Sequence, residues 1–471
     1  MTRIVIEKAG NCSVRFLSKP EQLNEMGLSY VKSLFRPEYL ETFLVPKPDG
    51  TSVLLVGIGH ENTQDAHVAK ELSAAACKAM RKLKIQAFTF YLSPFYAESS
   101  KDTMIAFFEG IFLVTGNAKT YKTDKCETSW TVGLADMPRE YEQYLEEGRM
   151  LANHVLFVRD LVNMPANLLW PEKMAEEFVR FAQGTGIESK IIHMEELKKL
   201  KMGGLLGVGS SSAYPPCLLI MRYTGDAGTS DRTGLVGKGV TVDTGGYCIK
   251  SAASMAGIRG DMAGAAAVVG AISALDKQKA KVNVTAVLPL CENRISNGSM
   301  VDGDVLTSYS GKTIEVGDTD AEGRLILADA VTYAVRDENV SRVLDIATLT
   351  GAVVRMFGFT ITGAISDNDI MWEEFSEAGR KTGERYWRIP FLREHERMLD
   401  SSVADICNLG PSECGTITGG LFIRSFAENV PWIHLDIAGT AWVKEPIYTY
   451  QEQYATGTGV ETIYRWLSDR A

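Results

Sequence analysis

Three acidic side chains and an arginine alternate along one short segment. Asp318, Asp320, Glu322 and Arg324 occupy every second position, with glycines at both sides and an apolar run after them. In an extended segment such residues point to the same side, so the three carboxylates would share one face. An arginine supplies one positive charge against them, whereas a divalent metal supplies two. The spacing therefore indicates a metal site in a tight turn.

A second glycine-rich segment, residues 236–261, mixes carboxylates with lysines. Asp243 and Asp261 are separated by a turn, so both could reach one site, and Lys250 lies between them in the chain. Lys238 stands between two glycines with valines around them, which is unusual for a solvated lysine. Nearby dications lower the pKa of a lysine, and a neutral amine can ligate a metal. This segment is therefore the natural partner of the first.

Histidine is missing from both segments, which restricts the kinds of metal site that they could form. The six histidines form no HExxH pair, and this excludes a single-zinc protease of that type. Carboxylate-rich sites favour Mn²⁺, Mg²⁺ or Zn²⁺, and there are enough carboxylates here for the two ions of a two-metal hydrolase. There is no GxSxG motif, and Leu306 replaces the first glycine of a P-loop.

The elements that must position these residues alternate along the second half of the chain. Strands are predicted at 217–223, 282–288, 342–346 and 432–435, and helices at 261–275, 328–335 and 418–427. Such alternation predicts a mostly parallel, mixed central sheet covered by helices. Functional loops leave the carboxyl ends of the strands in sheets of this kind.

The first 135 or so residues predict a smaller α/β unit without obvious chemistry. Strands are expected at 3–7, 41–46, 52–56 and 87–92, with helices at 21–35 and 64–84. A dinucleotide fingerprint after Gly57 and Gly59 fails, because the third glycine is replaced by Asn62. A helical stretch at 139–162 is expected to connect the halves. We therefore predict a two-domain α/β protein, with a non-catalytic domain at 1–150 that could serve in oligomerisation and a catalytic domain at 151–471.

Composition restricts the partners and the compartment. The chain has 471 residues and a net charge of −10, which argues against general nucleic-acid binding. The eight cysteines, including Cys126, form no CxxC pair, and we predict that they are free thiols in a reducing compartment. The N-terminus lacks a signal-peptide core, and the longest apolar run, 263–275, is too short to span a membrane. A cytoplasmic protein without a membrane partner is expected.

Four ordered motifs resemble the leucyl aminopeptidase family of dinuclear metallo-exopeptidases (peptidase family M17, cytosol aminopeptidase). The most specific is Thr319-Asp-Ala-Glu-Gly-Arg-Leu325, which differs from the family signature NTDAEGRL only in Asp318 for the usual Asn. The stretch 236–250 is similar to VGKGxTFDSGGxxxK, with Val242 for Phe and Thr244 for Ser. DIATLTGA at 345–352 and HLDIAG at 434–439 also match. The resemblance covers most of residues 150–471.

The resemblance implies a site with two divalent ions, with Zn²⁺, Mn²⁺ and Mg²⁺ as the candidates. One ion would be held by Lys238, Asp243, Asp261 and Glu322; the other would be held by Asp243, Glu322 and both the side chain and the carbonyl of Asp320. Lys250 would polarise the scissile carbonyl and stabilise the oxyanion, and Arg324 would hold a bicarbonate that acts as general base. The pocket for the N-terminal side chain would be lined by Ile258, Thr348, Gly351, Ala438 and Ala441.

The activity implied is that of a metal-dependent aminopeptidase. A water bridging the two metals would attack the first peptide bond and release N-terminal amino acids, leucine-like or otherwise neutral, from peptides with a free N-terminus. A homohexamer is also implied. Asp318 adds a negative charge beside the metals without removing a ligand.

Two other functions stay open on the residues alone. A two-metal phosphoesterase or amidase could use the same site, with Arg294 and Arg342 as candidate phosphate-binding residues. A non-catalytic binding protein with a decayed site is the other alternative, and the intact set of polar site residues argues against it.

Overall fold

The structure is a computed structural model that describes residues 2–92, 100–116, 119–123 and 128–471. Its internal contacts divide the chain into two compact units. Unit 1 contains the described part of Met1–Leu156 with two short later segments, Arg380–Gly383 and Pro446–Glu452. Unit 2 contains Phe157–Gly379, Glu384–Glu445 and Gln453–Ala471. Both units combine sheets with helices, which confirms the predicted two-domain α/β fold; the bounds 1–150 and 151–471 stay a prediction.

Unit 1 is built on a six-stranded sheet in the order β1-β6-β5-β2-β4-β3, in which only the β3–β4 pair is antiparallel. Its strands are β1 (Thr2–Val5), β2 (Cys12–Leu17), β3 (Thr42–Pro46), β4 (Ser52–Gly57), β5 (Ala87–Tyr91) and β6 (Trp130–Ala135). Its helices are α1 (Gln22–Glu25), α2 (Ala66–Lys82) and α3 (Lys101–Thr115), followed by α4 (Glu142–Val162), which ends in unit 2.

The local sequence explains where these helices begin and end. The Asp65 carboxylate caps α2 by accepting the His67 N–H at 2.8 Å, a common use of aspartate at a helix start. The helix predicted at 21–35 is wrong in length: only α1 and a 3-10 turn at Ser29–Val31 form. Gly27 lies between them at φ +69°, a left-handed conformation that ends a helix.

Unit 2 is organised around a nine-stranded sheet in the order β16-β15-β18-β14-β9-β11-β8-β7, with β10 also paired to β11. Its strands are β7 (Ile187–His193), β8 (Cys217–Thr224), β9 (Thr233–Gly237), β10 (Gly239–Asp243), β11 (Asn283–Asn293), β14 (Arg342–Ala347), β15 (Thr362–Ser366), β16 (Tyr386–Arg388) and β18 (Trp432–Asp436). Smaller sheets contain β12 (Val305–Thr307), β13 (Thr313–Glu315) and β17 (Ile406–Cys407), and β19 (Trp442–Val443) with β20 (Tyr454–Ala455).

The helices of unit 2 follow the predicted alternation with shifted ends. They are α5 (Pro171–Phe181), α6 (Met194–Leu200), α7 (Gly203–Gly209), α8 (Ala263–Gln278), α9 (Glu322–Arg336), α10 (Gly351–Phe357), α11 (Asp369–Thr382), α12 (Arg393–Glu396), α13 (Gly415–Arg424) and α14 (Val460–Ser468). By length and composition, Ser254–Gln278 could cross a membrane, but 83% of its most apolar stretch is buried inside the protein. This burial is typical of a core helix.

Two strands lie end to end along one long partner in the central sheet. β9 pairs in parallel with the first half of β11, and β10 pairs in parallel with its second half. Lys238 is the single residue between them. β14 is parallel to both β9 and β18, so the carboxyl ends of these strands meet at one edge. The seven cysteines among the described residues are free thiols, and Cys126 lies outside those residues.

Candidate metal centre and active site

The candidate residues gather at the carboxyl ends of parallel strands. Lys238 follows β9, Asp243 ends β10, Thr348 follows β14, and Ala438 comes shortly after β18. Loops at this edge are where open α/β sheets bind their ligands. The sheet therefore brings residues from distant parts of the sequence to one place.

Two helix starts add carboxylates to the same place. Glu322 is the first residue of α9, and Asp261 lies just before α8, positions where the helix dipole favours negative charge. Asp243, Asp320 and Glu322 each offer a carboxylate oxygen, and these oxygens lie within 4.8 Å of one another. The spacing is short enough for one ion to contact all three side chains.

Lys238 lies among the carboxylates and is 3% exposed. Its ammonium group is 2.8 Å from Asp261 Oδ2 and from Glu322 Oε1, and it donates to the Thr348 carbonyl at 2.9 Å. Burial alone would lower the pKa of Lys238, but the charges of the surrounding carboxylates outweigh it and raise the pKa. Without metals the lysine is therefore a cation that partly neutralises the acidic group.

Gly323 leaves the space that Lys238 occupies. A Cβ at Gly323 would lie 2.5 Å from Cε and 2.7 Å from Nζ of the lysine. Any larger residue at position 323 would therefore force the Lys238 side chain to move.

Lys250 supplies the second cation. Its Nζ is 2.6 Å from Asp243 Oδ2 and also contacts Asp320 Oδ1. Burial would lower the pKa of Lys250, whereas the charges of Asp243, Glu322 and Asp320 raise it above its usual value. A turn through Gly245 at φ +85° and Gly246 at φ +62° returns the chain so that Lys250 faces Asp243.

The carboxyl groups are hard to ionise together. Burial, reinforced by the charge of Asp243, raises the pKa of Glu322 to about 8, and burial raises the pKa of Asp261 to about 6. Burial also raises the pKa of Asp320. Glu322 Oε2 is buried without a hydrogen-bond donor, and the Lys238 ammonium alone faces the buried Glu322 Oε1 and Asp261 Oδ2, at 2.8 Å from each. Buried acceptors in this state are rare unless a cation or water satisfies them, so this donor set fits divalent ions.

Neighbouring groups orient the ligands. Asp243 Oδ1 accepts the Gly245 N–H at 2.9 Å and the Asn293 side-chain amide at 3.0 Å, which leaves Oδ2 directed at the site. The Asn293 amide also donates to the Thr319 carbonyl at 3.0 Å, and thereby joins the two motif segments. Such supporting contacts tune metal affinity in known sites. Sequence reasoning missed Asn293, which carries no local signal.

Asp318 acts within the turn that presents Asp320. Its Oδ1 accepts the Asp320 N–H at 2.7 Å, while Asn408 bonds both the backbone N–H and the carbonyl of Asp318. An asparagine side chain has the same oxygen for this bond, so the departure from the family signature preserves the turn. Asn408, which is fully buried, was also missed by sequence reasoning.

Arg324 is buried beside this turn. One guanidinium nitrogen donates to the Asn408 carbonyl at 2.8 Å, whereas Nε has no hydrogen-bond partner. Burial lowers the pKa of Arg324. A buried donor without an acceptor fits a small bound anion at this position.

The predicted pocket residues lie on segments next to the metal ligands. Thr348 donates its hydroxyl to Asp261 Oδ1 at 2.7 Å, and Gly351 begins α10. Ile258 lies on the 3-10 helix that precedes Asp261, and Ala438 and Ala441 follow β18. The lining role of these five residues stays a prediction.

The two candidate phosphate-binding arginines are engaged elsewhere. Arg294 Nε is 2.6 Å from the buried carboxylate of Glu292, and Arg342 is 3.0 Å from Asp231. Arg342 begins β14, at the end of that strand opposite to Thr348. Neither arginine supports a phosphoesterase.

The α/β fold and the buried carboxylate–lysine group together define a metal-dependent hydrolase. The catalytic-domain model of the cytosol aminopeptidase family matches residues 156–464, and the family's N-terminal-domain model matches residues 31–125. The chain belongs to the cytosol aminopeptidase family, which confirms the resemblance found in its motifs. It is accordingly a metal-dependent aminopeptidase.

Individual relatives agree with this assignment along the whole chain. A probable cytosol aminopeptidase of Clostridium perfringens is 37% identical over 458 residues, covering 95% of this chain and 93% of the relative. One of Solibacter usitatus is 40% identical over 427 residues, covering 90% and 88%. Among solved structures, the bottromycin maturation enzyme BotP matches with a TM-score of 0.86 at 30% identity, covering 98% and 99%. The same enzyme in complex with Mn matches with a TM-score of 0.85.

Proposed function

We propose that this aminopeptidase removes leucine-like or other neutral residues from the N-terminus of peptides with two divalent ions, Zn²⁺ or Mn²⁺, per subunit. Lys238, Asp243, Asp261 and Glu322 would hold one ion; Asp243, Glu322 and Asp320 would hold the other. The observation that carries the proposal is the buried Glu322 carboxylate, in which Oε1 faces the Lys238 ammonium at 2.8 Å and Oε2 has no hydrogen-bond donor. When bound, the ions supply a water of lowered pKa and anchor the amino group and carbonyl of the substrate.

The chain's own residues complete the reaction. Lys250 keeps its ammonium proton between the carboxylates and donates to the oxygen that becomes negative as the peptide carbonyl is attacked. A single donor of this kind is worth roughly 3 kcal/mol of transition-state stabilisation. Arg324 presents its unpartnered Nε to a bicarbonate, which would supply the general base.

Specificity for neutral side chains follows from the character of the proposed pocket. Ile258, Ala438 and Ala441 are apolar, Gly351 has no side chain, and the hydroxyl of Thr348 is directed at Asp261. No charged residue belongs to this set, so an apolar N-terminal side chain would be bound without an unpaired buried charge.

The test is metal-dependent hydrolysis of aminoacyl anilides. We expect leucyl and alanyl anilides to be cleaved after addition of Mn²⁺ or Zn²⁺, and cleavage to stop after chelation and return on reloading. N-acetyl-leucyl anilide should resist cleavage, because the ions anchor a free amino group. Cleavage of the acetylated substrate would support the amidase alternative, and hydrolysis of a phosphate ester would support a phosphoesterase. Metal-dependent release from none of them would refute the proposal.

We further propose that the enzyme acts in the cytoplasm as a homohexamer, without nucleic-acid or membrane partners. The support is the family to which the chain belongs and its net charge of −10. Light scattering during size-exclusion chromatography tests the assembly, with an expected mass about six times that of the 51.7 kDa chain. A monomer mass at micromolar concentration would contradict the hexamer.

A further inference from the structure

One carboxylate outside the metal centre joins two segments of the proposed pocket. Asp436 is the last residue of β18 and is 1% exposed. Its Oδ1 accepts three backbone N–H groups: from Leu349 at 3.1 Å, from Thr350 at 3.3 Å and from Ala438 at 3.2 Å. The first two belong to the loop after β14 and the third to the loop after β18. Asp436 therefore fixes the distance between these two loops.

The second carboxylate oxygen extends this contact to a helix. Asp436 Oδ2 accepts the Thr350 hydroxyl at 2.6 Å. The Thr350 hydroxyl oxygen in turn accepts the Val353 N–H at 3.2 Å and thereby caps α10, which Gly351 begins. Asp436 therefore bonds both the backbone N–H and the side-chain hydroxyl of Thr350, and through these two bonds it orients the backbone of the next residue, Gly351.

The loop after β14 also reaches the metal ligands. Its Thr348 carbonyl accepts a hydrogen bond from Lys238, and its Thr348 hydroxyl donates to Asp261. Register supports the connection, because Ala347 and Asp436 are directly paired in the parallel β14–β18 ladder. A displacement of residues 348–350 would change the contacts of two proposed ligands and of the pocket together.

We propose that Asp436 is a positioning residue that holds the 348–351 loop and Ala438 in the geometry required for metal binding and for selection of the N-terminal side chain. The role rests on the proposed function for its link to substrate. The positioning role requires an acceptor oxygen where Asp436 Oδ1 lies, because three N–H groups converge on that atom. A negative charge is not required for these three bonds. Asparagine can supply the same oxygen, and its amide N–H can donate to the Thr350 hydroxyl oxygen where Oδ2 accepted before, whereas alanine can do neither.

A matched control lies in the neighbouring strand. Asp345 on β14 is also fully buried, and it accepts from Trp432 Nε1 at 2.7 Å and pairs with His434 Nδ1 at 2.5 Å. It makes no contact with the 348–351 loop through these bonds. Loss of either aspartate removes a buried acceptor from the same pair of strands, so a general loss of stability would affect both variants.

The experiment compares Asp436→Ala, Asp436→Asn and Asp345→Ala in the full-length protein. We expect Asp436→Ala to weaken Mn²⁺ binding, measured by calorimetric titration, by at least tenfold and to speed amide exchange at Leu349 and Thr350 by at least tenfold. KM for leucyl anilide should rise at least tenfold, with the leucyl-to-alanyl preference reduced. Asp436→Asn should stay within about threefold of wild type in each measurement. Asp345→Ala should lower Tm, while its Mn²⁺ affinity and its KM stay within about threefold of the wild-type values.

Each result decides the proposal. Unchanged Mn²⁺ affinity and KM in folded Asp436→Ala would overturn it, and so would an equal change in Asp345→Ala. If Asp436→Ala does not fold, Thr350→Val, which removes the hydroxyl that bonds Asp436 Oδ2, the Val353 N–H and the Thr416 hydroxyl, should still speed exchange at Thr350; unchanged exchange would then refute the role. If the wild-type protein cleaves no anilide, the proposed function fails, while Mn²⁺ titration and amide exchange still test the positioning of the loop.

Discussion

Two buried glutamates, one in each unit, have pKa values shifted in opposite directions. Glu71 on α2 accepts the Tyr39 hydroxyl at 2.7 Å and the Thr449 N–H at 3.0 Å, and lies 3.3 Å from His67 Nε2. Burial raises its pKa, but these donors, with His67 the largest, bring the pKa below the ordinary value. Glu322 is more deeply buried, its Oε1 faces Lys238 while its Oε2 has no donor, and its pKa is raised to about 8.

The difference shows which of the two buried carboxylates the protein itself provides with enough hydrogen-bond donors. In unit 1 the protein supplies every donor that the Glu71 carboxylate needs, as is usual for buried ionised groups. In unit 2 two lysines face four carboxylates, Asp243, Asp261, Asp320 and Glu322, so a negative excess remains. Divalent cations would remove that excess. Burial alone therefore does not distinguish a structural acid from a metal ligand; the supply of donors does.

The largest effect is expected when the two glutamates are exchanged for glutamine. Glu322→Gln should lose metal, measured by elemental analysis, and lower kcat for leucyl anilide by roughly 10³-fold or more, because this carboxylate would serve both of the proposed ions. Glu71→Gln should keep its metals and turnover while the free energy of unfolding falls by about 2 kcal/mol. Full metal occupancy in Glu322→Gln would contradict the bridging role and remove the distinction between the two residues.

Lys250→Ala should separate catalysis from metal binding within unit 2. We expect both ions to be retained and kcat to fall by roughly 10²-fold to 10³-fold, because a donor to the developing oxyanion is lost. Lys312→Ala is the control, since the ammonium group of this exposed lysine of unit 2 donates to the Ser425 carbonyl and lies over the Phe426 ring, and contacts none of the proposed site residues among those that the structure describes. Near-normal turnover of Lys250→Ala would make this lysine a structural counter-ion.

The stability of unit 1 should depend on pH through Glu71. Its folded-state pKa lies below the ordinary value of 4.5, so its contribution is complete above about pH 4.5 and is lost as pH falls through the folded-state pKa. The difference in unfolding free energy between wild type and Glu71→Gln should therefore shrink between pH 7 and pH 3.5. Urea unfolding in the presence of chelator measures it, and a constant difference would show that ionisation of Glu71 contributes nothing.

Asp318→Asn should have the smallest effect. Asparagine keeps an oxygen for the Asp320 N–H, so the turn persists, and removal of one charge should weaken Mn²⁺ binding by about threefold, well under the tenfold that 1.4 kcal/mol represents. A loss of tenfold or more in affinity would show that the additional charge contributes to the metal centre directly.

The sequence predicted the parts of the site that depend on local motifs. The residues 318–324 and 236–261 are brought together as expected, although only the second segment leaves strand ends of the central sheet. The first follows β13 of the small three-stranded sheet and enters α9, so Glu322 and Arg324 lie on a helix and not in the extended segment that their spacing suggested. The strands that flank Lys238, the second of which ends at Asp243, were not predicted, since β9 and β10 contain three glycines, and glycine disfavours strands in propensity scales. Their stability comes from complete burial against β11, which is a tertiary effect.

Residues that act through long-range contacts escaped prediction. Asn293 and Asn408 orient the site by bonds to backbone groups that are distant in sequence, and Asp436, although it lies in the matching segment 434–439, was given no role from the sequence. A single asparagine or aspartate at the end of a strand is no local signal, because such residues are frequent in turns. The same limit explains the helix predicted at 21–35, where the apolar spacing was sound and one glycine conformation ended the helix.

The packing of Gly323 against Lys238 has a consequence for protein engineering. Alanine is favoured over glycine inside a helix by about 1 kcal/mol, so Gly323→Ala on α9 would rank among simple stabilising substitutions. The added methyl group would instead occupy the place of the lysine side chain and separate its amine from Asp261 and Glu322. At position 323, therefore, a substitution that raises helix propensity would disrupt the contacts of Lys238 with Asp261 and Glu322.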